Sequence, residues 1–197
     1  PNNITNSTAS SPLMKLPAEL RDTIYEYALR TDDGIIEINE QTGIPEPALL
    51  LTNKSIRAEA LSIFYSQNIV SLLIDSYSPS VPLLVHNKQE AILSQYKFKI
   101  PVSHVTLDGR ANWRNLLAWL HHFHEADGAV AFTSLDPRHK TRAHKPGATA
   151  TMKEWMVVAG LFHVVDCLNN VDWDRVEETL GMMRYALTAF DSDWDDD

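Results

Sequence analysis

Three histidines, His121, His122 and His124, followed by Glu125 and Asp127, form the densest group of metal-ligating residue types in the chain. Zinc needs three or four ligands converging on one point, and a helix brings two together best at i, i+4. His121 and His124 stand at i, i+3, and His122 falls on a different side of the helix. No H-E-x-x-H pattern occurs, nor a second Cys/His set with metal spacing. The favoured reading is a helix end whose histidines complement the dipole, so neither metal nor cofactor is expected. His163, Asp166 and Cys167 lie on successive turns of another predicted helix and have the residue types of a Cys–His nucleophile. A nucleophile needs an exposed, polarised setting. Thr151–Leu168 is apolar almost all round, so a packed thiol and a hydrogen-bonded core histidine are expected there instead. There is no G-x-S-x-G, glycine-rich phosphate loop or dinucleotide fingerprint. The chain reads as non-enzymatic.

A second cluster is basic. Arg138, Lys140, Arg142 and Lys145, with His139 and His144, fall in a predicted long loop at about 126–150. Loops of this length are uncommon in compact domains. The cluster reads as a solvated mobile loop, with an anion or acidic-partner site, or an intramolecular contact with the acidic tail, as the alternatives. The chain as a whole is acidic, with a net charge of −9, which argues against nucleic acid as a partner. It is 44% hydrophobic and 22% charged, the balance of a folded globular chain. A single cysteine, Cys167, excludes an internal disulfide and fits a reducing compartment. The longest nearly apolar run, Trp155–Val165, is too short to span a bilayer, so no membrane role is expected.

The elements that must position these residues follow from periodicity. Residues 1–12 read as a flexible tail, 13–190 as one globular domain, and 191–197 as an acidic tail in which Trp194 could anchor to a groove. Leu13–Arg30 places Leu13, Leu16, Leu20, Ile24, Tyr27 and Ala28 on one helical face. Ala48–Asn68 does the same with Leu49, Ile56, Ala60, Ile63 and Phe64, and the two stripes are expected to pack together. Docking them would let Arg21 meet Glu59 and Arg57 meet Glu19. Ile35–Ile38, Ile69–Ile74 and His104–Leu107 read as strands. Helices are expected at Pro82–Tyr96, at Asn112–Glu125 and over Thr151–Leu168, the last central and buried; a final one, capped by Asp172, runs from Trp173 to Phe190. Its stripe is expected to face the core, with a subunit seam as the alternative, so the chain is read as a monomer or homodimer. The expected class is α+β: a helix-dominated single domain with a small three-stranded mixed or antiparallel sheet.

Two separated motifs carry a resemblance. L-x-x-L-P-x-E-L-R-x-x-I-Y-x-x-A-L runs from Leu13 to Leu29, and P-A-L-L-L-T-N-x-x-I-R-x-E-A-L-x-I-F-Y-x-x-N runs from Pro47 to Asn68. In this order they resemble the F-box-like, EXR-type domains abundant in filamentous fungi, over about Leu13–Asp75. The start at Leu16, Pro17, Glu19 and Leu20 also resembles the first helix of a true F-box, which docks onto a Skp-type ubiquitin-ligase adaptor. A true F-box continues directly into more helix, whereas this chain inserts Gly34–Gly43. The resemblance implies a protein-interaction module, with Leu16, Pro17, Leu20 and Ile24 as its candidate surface and a Skp-type adaptor as the implied partner. That reading places the protein inside the cell, in cytoplasm or nucleus. The alternative is a secreted, host-directed, effector-like fungal protein whose signal segment was removed, since the chain starts at Pro1 rather than Met. The glycosylation patterns at Asn3, Asn6 and Asn53 are read as coincidence.

Overall fold

The computed structural model describes residues 11–126 and 152–195. The expected basic loop, with Arg138, Lys140, Arg142 and Lys145, lies outside the described residues, as does Asp127. The chain divides into two compact units, each made of two separate stretches: Pro1–Gly34 with Glu46–Asn68, and Ile35–Pro45 with Ile69–Asp197.

In the first unit a 3-10 turn, Pro12–Lys15, leads into α1, Ala18–Leu29. Pro17 stands immediately before α1, where its lack of an N–H costs nothing. A second 3-10 turn, Ala48–Leu51, precedes α2, Lys54–Ser66. The side chain of Asn53 caps α2 by accepting from the backbone N–H of Ile56, 2.9 Å away. The helices α1 and α2 pack against each other, but α1 does so one residue out of step with the expected stripe. It buries Tyr25 and Leu29, with Arg21 half-buried in the same i, i+4 row. Leu20, Ile24 and Tyr27, expected to be core, face solvent.

The second unit carries the sheet: β1, Ile35–Ile38; β2, Ile69–Asp75; and β3, Val102–Asp108. The strand order is β1-β2-β3 and both pairings are parallel, which corrects the expected mixed or antiparallel sheet. The cause lies in the connections. Each strand is separated from the next by a helix, α2 before β2 and α3 (Ser80–Tyr96) before β3. A crossover of that length returns the chain to the same end of the sheet, whereas an antiparallel neighbour can be joined by a short turn. The helix-rich α+β character is as expected. One sheet face is buried through Ile36, Ile38, Val70, Leu72, Ile74 and Leu107.

Gln89, buried within α3, sets where β3 begins. Its amide donates to the carbonyl of Phe98 at 3.1 Å, and its oxygen accepts from the N–H of Ile100 at 2.6 Å. At the far end of β3, Gly109 has φ +78 and packs so closely on Asp75 and Ser76 that any side chain there would collide with them.

Three further helices of this unit lie among the described residues: α4, Trp113–Glu125; α5, Met152–Cys167; and α6, Trp173–Thr188. Asn112 caps α4 by accepting from the N–H of Asn115 at 2.9 Å. Asp172 precedes α6 but makes no side-chain cap, contrary to expectation. Trp119 and Phe123 of α4 meet Phe162 of α5 edge-on, with ring centroids 4.9 and 5.3 Å apart. The central-helix expectation for α5 also needs correcting. Val158, Leu161, Phe162 and Val165 are buried, while Met156, His163 and Cys167 are exposed, so α5 is one-sided.

The acidic tail is not simply solvated. Ser192–Asp195 forms a 3-10 turn that sinks Trp194 to 0% exposure. Its indole N–H donates to Oε1 of buried Glu154 at 3.1 Å, and the Tyr77 hydroxyl donates to the same oxygen at 2.8 Å. The rings of Tyr77 and Trp194 lie 4.6 Å apart. Arg184 donates to the carbonyl of Trp194 at 2.7 Å and lies over the ring of Trp113. Burial, reinforced by the Glu154 carboxylate, pushes the Tyr77 hydroxyl far above its ordinary pKa. We expect Trp194→Phe to cost about 1–2 kcal/mol, the lost hydrogen bond, and Trp194→Ala about 3–5 kcal/mol, the lost packing as well. Chemical denaturation of both variants checks this; equal losses would place all of the effect in the hydrogen bond.

Candidate interaction site

The site is built on α1 and held from behind by α2. Arg21 projects from α1 toward α2 and grips Glu59 with both arms of its guanidinium. Nε donates to Oε2 and NH2 to Oε1, each at 2.8 Å. The remaining nitrogen donates to the carbonyl of Leu16 at 2.6 Å, fixing the turn that leads into α1. The Tyr25 hydroxyl, one helical turn on, donates to Oε2 of Glu59 at 3.1 Å. Such a fork-to-carboxylate contact fixes direction as well as distance, which a lysine at this position would not do. The hydrogen bonds from Arg21 are the main cause holding the Glu59 carboxyl below its usual range, against an opposing push from burial. The same pairing raises the guanidinium of Arg21, and burial, followed by Glu59, raises the Tyr25 hydroxyl.

The expected second pair forms with another partner. Arg57 makes its own two-armed contact with Glu46, at 2.8 and 3.0 Å, and reaches the carbonyl of Leu50 at 3.3 Å. Glu19 is exposed in the first turn of α1, where it complements the helix dipole. Arg57 therefore ties the segment before α2 to α2 itself.

Asn68 closes the unit. It is buried, and its amide donates to the carbonyls of Leu29 at 2.9 Å and Phe64 at 2.7 Å. Its oxygen accepts from both the N–H and the hydroxyl of Thr31, each at 2.9 Å. One side chain thus joins the C-terminal ends of α1 and α2. Sequence reasoning gave Asn68 no role, although it is the last letter of the second motif.

With Arg21, Tyr25 and Leu29 turned inward, the adjoining side of α1 presents Leu20 at 52%, Ile24 at 39% and Tyr27 at 85% exposure. Pro17 is exposed beside them and Leu16 is half-buried. Of the four residues named as the candidate surface, Leu20 and Ile24 lie on α1, and Leu16 and Pro17 lie in the turn that leads into it.

The other candidates lie in the second unit and do not converge. His124 Nε2 is 3.0 Å from the carbonyl of Val171 and 3.3 Å from that of Leu168, so this nitrogen carries the proton and donates. His121 lies over Trp173, with centroids 4.4 Å apart. His121 and His122 flank Glu125 at 3.8 and 3.5 Å. Among the described residues no group of three His, Cys, Asp or Glu side chains is arranged to hold a metal ion. His163 and Cys167 are neighbours on the exposed side of α5, with Sγ 3.8 Å from Nε2, rather than the packed pair expected. No helix among the described residues is long and apolar enough to cross a membrane. No protein-family model matches the chain, and comparison with curated proteins and with solved structures gives no significant match.

Because the Glu59 carboxyl is held below its ordinary value of 4.5, the pair contributes stability above that pH and loses it as pH falls through the lowered value. The stability difference between the wild-type chain and Glu59→Gln is therefore expected to be constant near neutrality and to shrink below about pH 4.5. At pH 7, Glu59→Ala is expected to lower the melting temperature by at least about 3 °C, and Glu19→Ala by less than about 1 °C. Equal shifts for the two would remove Glu59 from its docking role.

Proposed function

We propose that the chain is a non-enzymatic protein-interaction module of the F-box-like kind, whose contact surface is the exposed side of α1. The observation that supports this is the stripe of Leu20, Ile24 and Tyr27, left in solvent by a helix whose other side is anchored through Arg21 and Tyr25. Exposed apolar side chains grouped on one rigid element are costly to a monomer and suited to a partner. An amphipathic helix presenting anchors at i, i+4 and i+7 is a recurrent mode of protein recognition. Leu20, Ile24 and Tyr27 have that spacing, and Leu16 and Pro17 extend the stripe toward the start of the helix.

The resemblance of Leu16-Pro17-Ala18-Glu19-Leu20 to the opening of an F-box makes a Skp-type adaptor the partner of choice and supports a location in cytoplasm or nucleus. The anchoring network gives the surface a fixed geometry before binding, which lowers the entropic cost of association.

The test is co-elution of the purified chain with a Skp-type adaptor on size exclusion. A complex is expected from the wild-type chain, with affinity reduced at least about a hundredfold in Leu20→Asp, which puts a charge in an apolar contact. Leu20 is exposed, so this variant is expected to melt with the wild-type chain. A complex unaffected by Leu20→Asp, or none at all, overturns the reading.

A further inference from the structure

Helix α6 carries two apolar stripes. Val176, Leu180 and Leu187 are fully buried and hold it against its neighbours. A second stripe, Met182, Tyr185, Ala186 and Ala189, recurs at i, i+3, i+4 and i+7 and faces solvent, and Phe190 continues it just beyond the helix. Met182 is 65%, Tyr185 76% and Phe190 44% exposed. Methionine and aromatic side chains are the apolar types that protein interfaces favour.

Carboxylates close this outer stripe at both ends. Asp172, Asp174, Glu177 and Glu178 are exposed at the start of α6, against the single exposed cation Arg175. Asp191 and Asp195 are exposed past its end, around a turn pinned by buried Trp194 and by the bond from Arg184 to the Trp194 carbonyl. The last turn of α6 contains no basic residue, so the negative end of the helix dipole adds to these carboxylates.

We propose that the outer stripe of α6 receives an amphipathic helix of a partner protein, apolar along its middle and basic at both ends. Charge selects this occupant. A second copy of the chain is the poorer fit in either sense. Antiparallel pairing sets the acidic start of one α6 against the acidic end of the other, and parallel pairing sets each end against its own like. Like charges juxtaposed across an interface disfavour a partner. An anionic membrane or a nucleic acid meets the same repulsion. Glu178 and Asp191 stand about 20 Å apart along the axis, a span that one helix of ordinary length covers. This stripe shares no residue with the α1 surface and stands or falls independently of it.

The probe is a fluorescent synthetic helix of about 18 residues, with a leucine stripe and arginines at both ends, titrated against the full chain by anisotropy. Its controls are the same helix with glutamates for arginines and a scrambled peptide of equal composition. The arginine helix is expected to saturate, with both controls at least about tenfold weaker; Tyr185→Gln and Glu178→Lys are each expected to weaken it about tenfold. Both positions are exposed, and glutamine and lysine are good helix formers, so the two variants are expected to melt with the wild-type chain. Leu20→Asp is expected to leave peptide binding unchanged, which separates this test from that of the adaptor. Absent binding, equal binding of the three peptides, or indifference to either α6 substitution overturns the proposal. A dimer dissolved by Tyr185→Gln would overturn it in favour of a second copy.

Discussion

A polar side chain taken out of water must find partners where it lands, and an unmet one costs about 1–3 kcal/mol. The three buried polar residues among those described, Asn68, Gln89 and Glu154, each meet this constraint by joining segments that the sequence separates. Asn68 joins the ends of α1 and α2, Gln89 holds the approach to β3, and Glu154 receives both Tyr77 and Trp194. None of the three is replaceable by an apolar residue of similar size without orphaning a backbone or ring partner. Apolar burial supplies the driving force for each unit, and these side chains determine which arrangement of elements it produces.

The same logic sorts the letters of the two motifs. Arg21, Asn53, Arg57, Glu59 and Asn68 are accounted for by helix capping and docking. They give the helix pair one geometry. Leu20 and Ile24 are different, since they stand in solvent while the fold closes without them. Within one short helix, architecture occupies the 21, 25, 29 row and the exposed apolar side chains occupy the row beside it.

Helices and strands were legible in the sequence because their periodicities are local properties, and all three strands lie where alternation and β-branched runs put them. The face of α1 was misjudged because an arginine and a tyrosine hold the docking row, and apolar spacing alone favours the neighbouring stripe. Strand direction was missed for a related reason: short β-runs look alike in either sense, and only the helical crossovers between them carry the information. For α5, a high apolar content was read as burial all round, although among the described side chains Val158, Leu161 and Val165 are buried while Met156 is exposed. Trp194 could be singled out as an oddity in an acidic run. Its acceptor, Glu154, lies 40 residues earlier in the chain, beyond the reach of any local pattern.

The interleaving of the two units has a consequence for how the protein is made. Ile35 pairs with Ile69, so β1 leaves the ribosome well before its strand partner exists. At about 5–20 residues per second that interval is roughly 2–7 seconds, long compared with the microseconds in which a helix forms. During it, α1 and most of α2 can meet and close through Arg21 and Glu59, while β1 waits as an unpaired apolar strand. The insertion that separates this chain from an ordinary two-helix hairpin thus leaves a sticky strand exposed during synthesis. Its short length and the charge of Glu37 are the features that keep such a strand from pairing with the wrong neighbour.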